Sequence, residues 1–206
     1  MMEPETRESL IARLPDHADT TAWLEFVQLY EPLIYGIGRR HGLQPTDATD
    51  LVQEVLLAVA QSIERFKPDQ QRGRFRSWLF GVARNHSLNK LRSLRGQPQP
   101  AGGSEAFKQL DQVAAPTSLE QEFTTAFRRR AFRWAARRVR QSVQPTTWEA
   151  FSRTAVDCQS AGDVAEDLGV EIGSVYLARS RVMSRLKRLV QEVSGDGFEA
   201  IEGELR

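Results

Sequence analysis

Apolar residues along this chain recur every three or four positions, and no run alternates residue by residue as a strand would. The pattern predicts helices nearly throughout. Trp23, Phe26, Val27, Tyr30 and Ile34 share one face of a helix expected over residues 20–41. Gly42 is its stop signal, and Pro32 is a place to kink or divide it. Thr46 or Asp47 can cap a second helix. Its stripe is Leu51, Val55, Val59 and Ile63, broadened by Val52, Leu56 and Phe66, and Pro68 ends it. After the polar loop KPDQQRG, a third helix is expected from about Phe75 to Leu94, with Phe75, Trp78, Leu79 and Val82 on one side.

The pattern breaks at GQPQPAGGSEAFKQLDQVAAPT, residues 96–117, whose Gly, Pro and Gln content reads as a flexible linker. The expected fold is therefore all-α: two helical domains, 1–95 and 118–193, joined by linker 96–117 and followed by an acidic tail, 194–206. In the second half, Ser118 with Gln121 and Thr146 with Glu149 are spaced as capping boxes. Trp148, Phe151, Ala155 and Cys158 fall on one inner face, which predicts a buried, unreactive thiol.

The stretch DVAEDLGVEIGSVYLARSRVMSRL, residues 163–186, fits a helix-turn-helix. Two helices that cross closely need a small residue, and Ala165 supplies it; the turn needs a residue tolerant of positive φ, and Gly169 supplies that. Val164, Leu168, Val170, Val175 and Ala178 fall where the interhelical core needs apolar groups, and Ser160 with Asp163 can cap the first helix. Val182, Leu186, Leu189 and Val193 continue the inward face. Outward lie Ser174, Tyr176, Ser180, Arg181 and Ser184, flanked by Arg179, Arg185, Lys187 and Arg188. Short polar groups near the start and cations along the length suit a helix that enters a major groove. A solvated basic hairpin is the plainer reading.

Charge changes the picture more than composition does. The 206 residues carry a net charge of only +1, but it is segregated. Residues 1–66 hold 11 acids and 5 bases; 67–95 hold 8 bases and 1 acid; 119–143 hold 7 bases and 2 acids; 171–193 hold 5 bases and 2 acids. Basic blocks between acidic ones suggest one surface for a polyanion and another for a basic protein. The single cysteine excludes an internal disulfide and fits a reducing cytoplasm. His17, His41 and His86 have no metal-ligand spacing, so neither metal nor cofactor is expected. No apolar run is long enough to span a membrane, and the polar N-terminus predicts no signal peptide. A nucleic-acid enzyme would need paired carboxylates near a basic cleft, a phosphate-cradling glycine loop or a metal cluster, and the pattern offers none of these.

Two segments in the first half carry the sharpest signals. On DATDLVQEVLLAVAQSI, Asp50 and Glu54 lie one turn apart on the exposed side with Gln53 beside them. Like charges at that spacing cost an isolated helix about 0.2–0.5 kcal/mol, a sign that a basic partner would reverse. FKPDQQRGRFRSWLFGVARNHSLNKLR, residues 66–92, interleaves cations with aromatic rings. Together, DATDLVQEVLLAVAQSIERFKPDQQRGRFRSWLFGVARNHSLNKLRS resembles region 2 of bacterial sigma factors of the sigma-70 family, extracytoplasmic-function class. WEAFSRTAVDCQSAGDVAEDLGVEIGSVYLARSRVMSRLKRLV resembles their region 4.

The resemblance implies a transcription initiation factor, not an enzyme, that binds core RNA polymerase and promoter DNA. It also brings an anti-sigma factor into view as a partner. Asp50, Gln53 and Glu54 would dock on a basic coiled coil of the polymerase. Lys67, Gln70, Gln71, Arg72, Arg74, Arg76, Trp78, Arg84, Asn85 and Lys90 would engage and help melt the minus-ten element. For Trp78, stacking and core roles both stand open, since it lies on the apolar stripe. Ser174, Tyr176, Arg179, Ser180, Arg181, Ser184, Arg185 and Lys187 would read the minus-thirty-five element. Gly81 and Val82 stand where primary sigma factors carry paired aromatics, which implies weaker melting and stricter promoter choice. The competing reading is a helix-turn-helix regulator with a helical sensing or dimerisation domain. It leaves the basic-aromatic segment and the acidic face without a role.

Overall fold

Among the described residues, 10–66, 75–96 and 118–194, the computed structural model is helical in every regular element. The order is α1 (Leu10–Arg13), α2 (Thr20–Arg40), α3 (Pro45–Ser62) with a 3-10 turn at Ile63–Arg65, α4 (Phe75–Leu94), α5 (Ser118–Ser142), α6 (Pro145–Ala155), α7 (Ala161–Leu168) and α8 (Ile172–Ser194). The expected linker from residue 97 and the acidic tail from residue 195 lie outside the described residues. The chain divides into two compact units, Leu10–Phe127 and the chain from Arg128 onward.

In the first unit α2, α3 and α4 each pack on the other two. The apolar stripes predicted from periodicity meet there: Phe26, Tyr30 and Ile34 of α2, Leu51, Val55 and Val59 of α3, and Phe75 and Leu79 of α4 are all buried. Asp19 starts α2 by accepting from the Ala22 N–H at 2.9 Å. Arg13 donates to the same carboxylate at 2.8 and 3.0 Å, which ties α1 to the helix it precedes. The Ala22 bond, helped by Arg13, outweighs desolvation and holds the Asp19 carboxyl below its ordinary range. Pro32 does not divide α2, which runs unbroken through it. Burial of Leu29, Tyr30, Ile34 and Ile37 on both sides of the proline outweighs the missing backbone donor. Gly42, at φ 89°, ends the helix in a left-handed turn, with Leu43 N–H bonding back to the Gly38 carbonyl at 3.0 Å.

The first half of α5 belongs to this unit. Phe123 and Phe127 are 5% and 0% exposed. Phe127 stacks on Tyr30 at 4.9 Å, and Phe123 meets Phe80 at 5.7 Å.

In the second unit α6, α7 and α8 each pack on the other two. Ala150, Val164, Ala165, Val175 and Ala178 form the centre, with Ala161 and Leu168 against it. Ser160 caps α7 by accepting from Asp163 N–H at 3.1 Å. Gly169 closes it at φ 64°, and Val170 N–H reaches the Ala165 carbonyl at 3.0 Å. Val170 itself is 37% exposed, outside the core position expected of it.

Three local expectations are corrected. α3 and α6 both start on a proline, Pro45 and Pro145, with Gln44 and Gln144 as caps that make no side-chain bond. Thr46, Asp47, Thr146 and Glu149 therefore sit inside helices. Proline suits the first helical position because its fixed φ is already helical and no N–H is needed there. Cys158 is exposed rather than buried. α6 stops at Ala155, so the helical register that placed Cys158 inward no longer holds, and the residue turns at φ 55°.

Candidate functional site

α3 presents Asp50, Gln53 and Glu54 outward, because Leu51, Val52 and Val55 occupy its core side. α4 packs on α3 and brings His86 and Lys90, also one turn apart, into register with them. Lys90 Nζ lies 2.9 Å from Glu54 and 3.5 Å from Asp50, and His86 Nδ1 lies 3.6 Å from Glu54. Burial of the Lys90 stem works against its charge, but the two carboxylates outweigh it and hold the ammonium above its usual range. The acidic pair is thus bridged from one side. Asp50 and Glu54 still expose 66% and 45% of their side chains, so the ridge remains open to a partner. Exposed pairs of this kind contribute about 0.2–1 kcal/mol, well short of closing the surface. Sequence reading missed His86, and placed Lys90 with the DNA contacts. The available signal was an acidic i,i+4 pair on α3 and a histidine–lysine i,i+4 pair on the neighbouring helix.

The basic-aromatic segment is only partly described. Lys67, Gln70, Gln71, Arg72 and Arg74 lie outside the described residues. The flanks of that stretch are fixed by rings: Phe66 meets Phe75 at 5.4 Å and Trp78 at 5.0 Å, and Phe75 meets Trp78 at 5.3 Å. Trp78 is therefore a half-buried member of an aromatic cluster with Phe66 and Phe75. Arg76 is 5% exposed, with its guanidinium 4.9 Å from the Phe127 ring centroid. Its charge faces α5 rather than solvent, at odds with the surface contact expected of it. Arg84 is exposed and Asn85 half-buried. Near them His41 Nδ1 lies 2.8 Å from Ser87 Oγ, which is buried. Desolvation, then the Arg84 charge, lowers the His41 pKa from its usual 6.5.

In the second unit Ser174, Tyr176, Arg179, Ser180, Arg181 and Ser184 are exposed on α8, while Arg185 and Lys187 are half-buried. The opposite face, Val175, Ala178, Val182, Leu186 and Val190, is buried. Arg185 does not point freely outward: it donates to the Ser142 carbonyl at 3.0 Å and to the Ser142 hydroxyl at 3.2 Å, tying α8 to the end of α5. With Arg181, Gln144 and Thr147 it lines a cleft of about 350 Å³. Arg153 braces the motif from α6 by binding Asp167 of α7 and Gln159. No group of side chains suited to hold a metal ion occurs among the described residues, and no described helix is long and apolar enough to cross a membrane.

Residues 26–97, which contain most of the first unit's helices, match the family model of sigma-70 region 2. The extracytoplasmic-function RNA polymerase sigma factor RpoE of Cereibacter sphaeroides is 32% identical over 92 residues, 45% of this chain and 49% of that protein. SigE of Mycolicibacterium smegmatis is 27% identical over 167 residues, covering 81% and 60%. In structure, Rhodobacter sphaeroides SigE in complex with the anti-sigma ChrR aligns over 87% of this chain and 94% of that one, at 22% identity and a TM-score of 0.37. The matched part spans about half the length of the first curated relatives. The family model identifies residues 26–97, within the first unit, as a sigma-70 region 2. Over the matched parts the chain is similar to extracytoplasmic-function RNA polymerase sigma factors at 27–32% identity.

Proposed function

We propose that this protein is a transcription initiation factor that binds core RNA polymerase, recognises promoter DNA and assists its melting. Region 2 would occupy residues 1–95, the linker 96–117 and region 4 residues 118–193. The observation that supports this most is the pairing of a region 2 fold with an open acidic ridge at Asp50 and Glu54. A sensing or dimerising domain has no need of that ridge.

Melting requires bases to leave the stack, at a cost of about a few kcal/mol per step. Capture of the exposed strand offsets this: stacking returns about 1–3 kcal/mol per base, and cations hold the backbone. The aromatic anchor of Phe66, Phe75 and Trp78 supplies a rigid base for that capture, with Arg72 and Arg74 beside it in sequence. On the second unit, α8 lies across the duplex with its exposed polar and cationic face toward the bases. Solved relatives are held by anti-sigma factors, SigE by ChrR and CnrH by CnrY, and an anti-sigma factor is a natural third partner here. The protein acts in the cytoplasm and performs no catalysis of its own.

The test is reconstitution with purified core polymerase, followed by selection of bound fragments from random duplex DNA. A stable complex that enriches a two-part promoter is expected. A chain that binds DNA alone and ignores the polymerase is instead a helix-turn-helix regulator.

A further inference from the structure

Four of the eight exposed large hydrophobic side chains among the described residues, Val170, Ile172, Tyr176 and Leu177, fall within eight consecutive positions. Single exposed leucines are ordinary on any surface, but such clustering is not. The cluster lies on the turn and first two turns of α8, the end of a recognition helix that meets base edges. Leu177 is its most exposed member, at 64%. It is nine positions from the buried Leu186, and at 3.6 residues per turn that places the two on opposite sides of the helix. The spacing of three and four puts Ser174, Leu177, Arg181, Ser184 and Arg188 in one exposed row. Leu177 therefore sits at the centre of the outward face, an apolar group in an otherwise polar and cationic row.

We propose that Leu177 is a specificity residue that reads the 5-methyl group of a thymine in the upstream promoter element. The inference rests on the reading of α8 as a duplex-reading helix. In the major groove, only thymine offers a methyl group, and apolar side chains recognise it by contact. The flanking serines and arginines exclude an apolar peptide as the better occupant. Residues 171–193 carry 5 bases against 2 acids, so whatever covers Leu177 is also anionic. Arg181, one turn on, is placed to reach an adjacent base edge or phosphate while the methyl rests on Leu177.

The test uses holoenzyme and the promoter fragments recovered with it. Each thymine of the upstream element is replaced singly by uracil, which keeps the base pair and removes only the methyl. Wild-type holoenzyme should lose about fourfold in affinity at one position, the worth of one methyl removed from an apolar contact. Leu177→Ala should bind the thymine and uracil forms of that position equally. Its thermal unfolding should match wild type, because the site is exposed and alanine favours the helix. Uracil substitution without effect anywhere in the element, or an undiminished effect in Leu177→Ala, overturns the assignment and leaves the promoter reading standing. If no promoter fragment is recovered at all, both fall together.

Discussion

Two units of one chain, each built on three mutually packed helices, place their charges differently. In Leu10–Phe127, two of the four cations of α4 turn inward or sideways: Arg76 lies under Phe127, and Lys90 bridges Asp50 and Glu54, while Arg84 and Arg92 stay exposed. In the second unit, the cations of α8 at Arg179, Arg181 and Arg188 stay exposed, and Arg185 alone among those named is tied back, to Ser142. The difference follows from what surrounds each helix. α4 is packed by α3 and α2, and has few positions that see only water. α8 buries one narrow stripe and leaves its whole opposite face open. A count of basic residues in the sequence is thus a fair measure of available charge on α8 and an overcount on α4.

The strongest way to break this comparison is to remove the ring that holds Arg76. Phe127→Ala deletes a fully buried side chain stacked on Tyr30, which should cost about 3–5 kcal/mol. Hydrogen exchange of the full chain should show protection lost in α2, α3 and α4 while α6, α7 and α8 keep theirs. Equal loss in both sets would mean that the division at Phe127 is not energetic.

The next largest effect concerns the ridge. Asp50→Lys with Glu54→Lys should weaken binding to core polymerase by at least about tenfold, or ~1.4 kcal/mol, as expected for reversed charge at an electrostatic interface. Because Lys90 bridges both carboxylates, the variant also strips Lys90 of its partners. Exchanging Glu54→Lys with Lys90→Glu separates the two roles. It restores an internal pair but moves one of the ridge's two negative charges off α3, leaving Asp50. Polymerase binding that recovers in the exchange would show that the ridge serves the fold and not a partner.

Most of the fold was legible from periodicity, since buried stripes such as Leu51, Val55 and Val59 leave an unmistakable three-four spacing. The helix-turn-helix was legible for the same reason, with Gly169 marking its turn by a left-handed φ that other residues resist. The pattern could not reveal what faces a charged side chain across space. Arg76 and Lys90 look identical to surface cations in sequence, and only the packing of α5 and α3 on α4 separates them. Helix starts were misread where proline, not a hydroxyl, set the first turn. Leu177 passed unremarked because a leucine in an amphipathic helix is assigned to the core by default, although its own register places it outside.

A smaller effect sharpens the second unit. Ser160→Ala removes the acceptor for Asp163 N–H at the start of α7, a helix of only 8 residues. The expected loss is about 1 kcal/mol of second-unit stability. Exchange protection should fall in α7 and α8, with α2, α3 and α4 unchanged. Ser160→Asp should restore it, since a carboxylate caps as well as a hydroxyl and meets the positive end of the helix.

The smallest effect is one of acidity, and it again divides the units. All three histidines, His17, His41 and His86, lie within Leu10–Phe127, so the second unit has no group of this type. His41 is held partly buried against Ser87, with desolvation and the Arg84 charge both disfavouring its protonated form. Its pKa is therefore lower folded than unfolded, and the unfolded chain takes up the proton first as pH falls. The stability His41 protects is complete above its usual pKa of 6.5 and is lost as pH drops from there through the folded value. His41→Gln removes that titration while keeping a polar group near Ser87. Between neutral pH and the carboxylate range, first-unit stability should fall more steeply in wild type than in His41→Gln. The second unit should show no difference between the two proteins. Parallel curves for the first unit would mean that His41 gains compensating contacts when it is charged, and that Arg84 lies too far into solvent to oppose it.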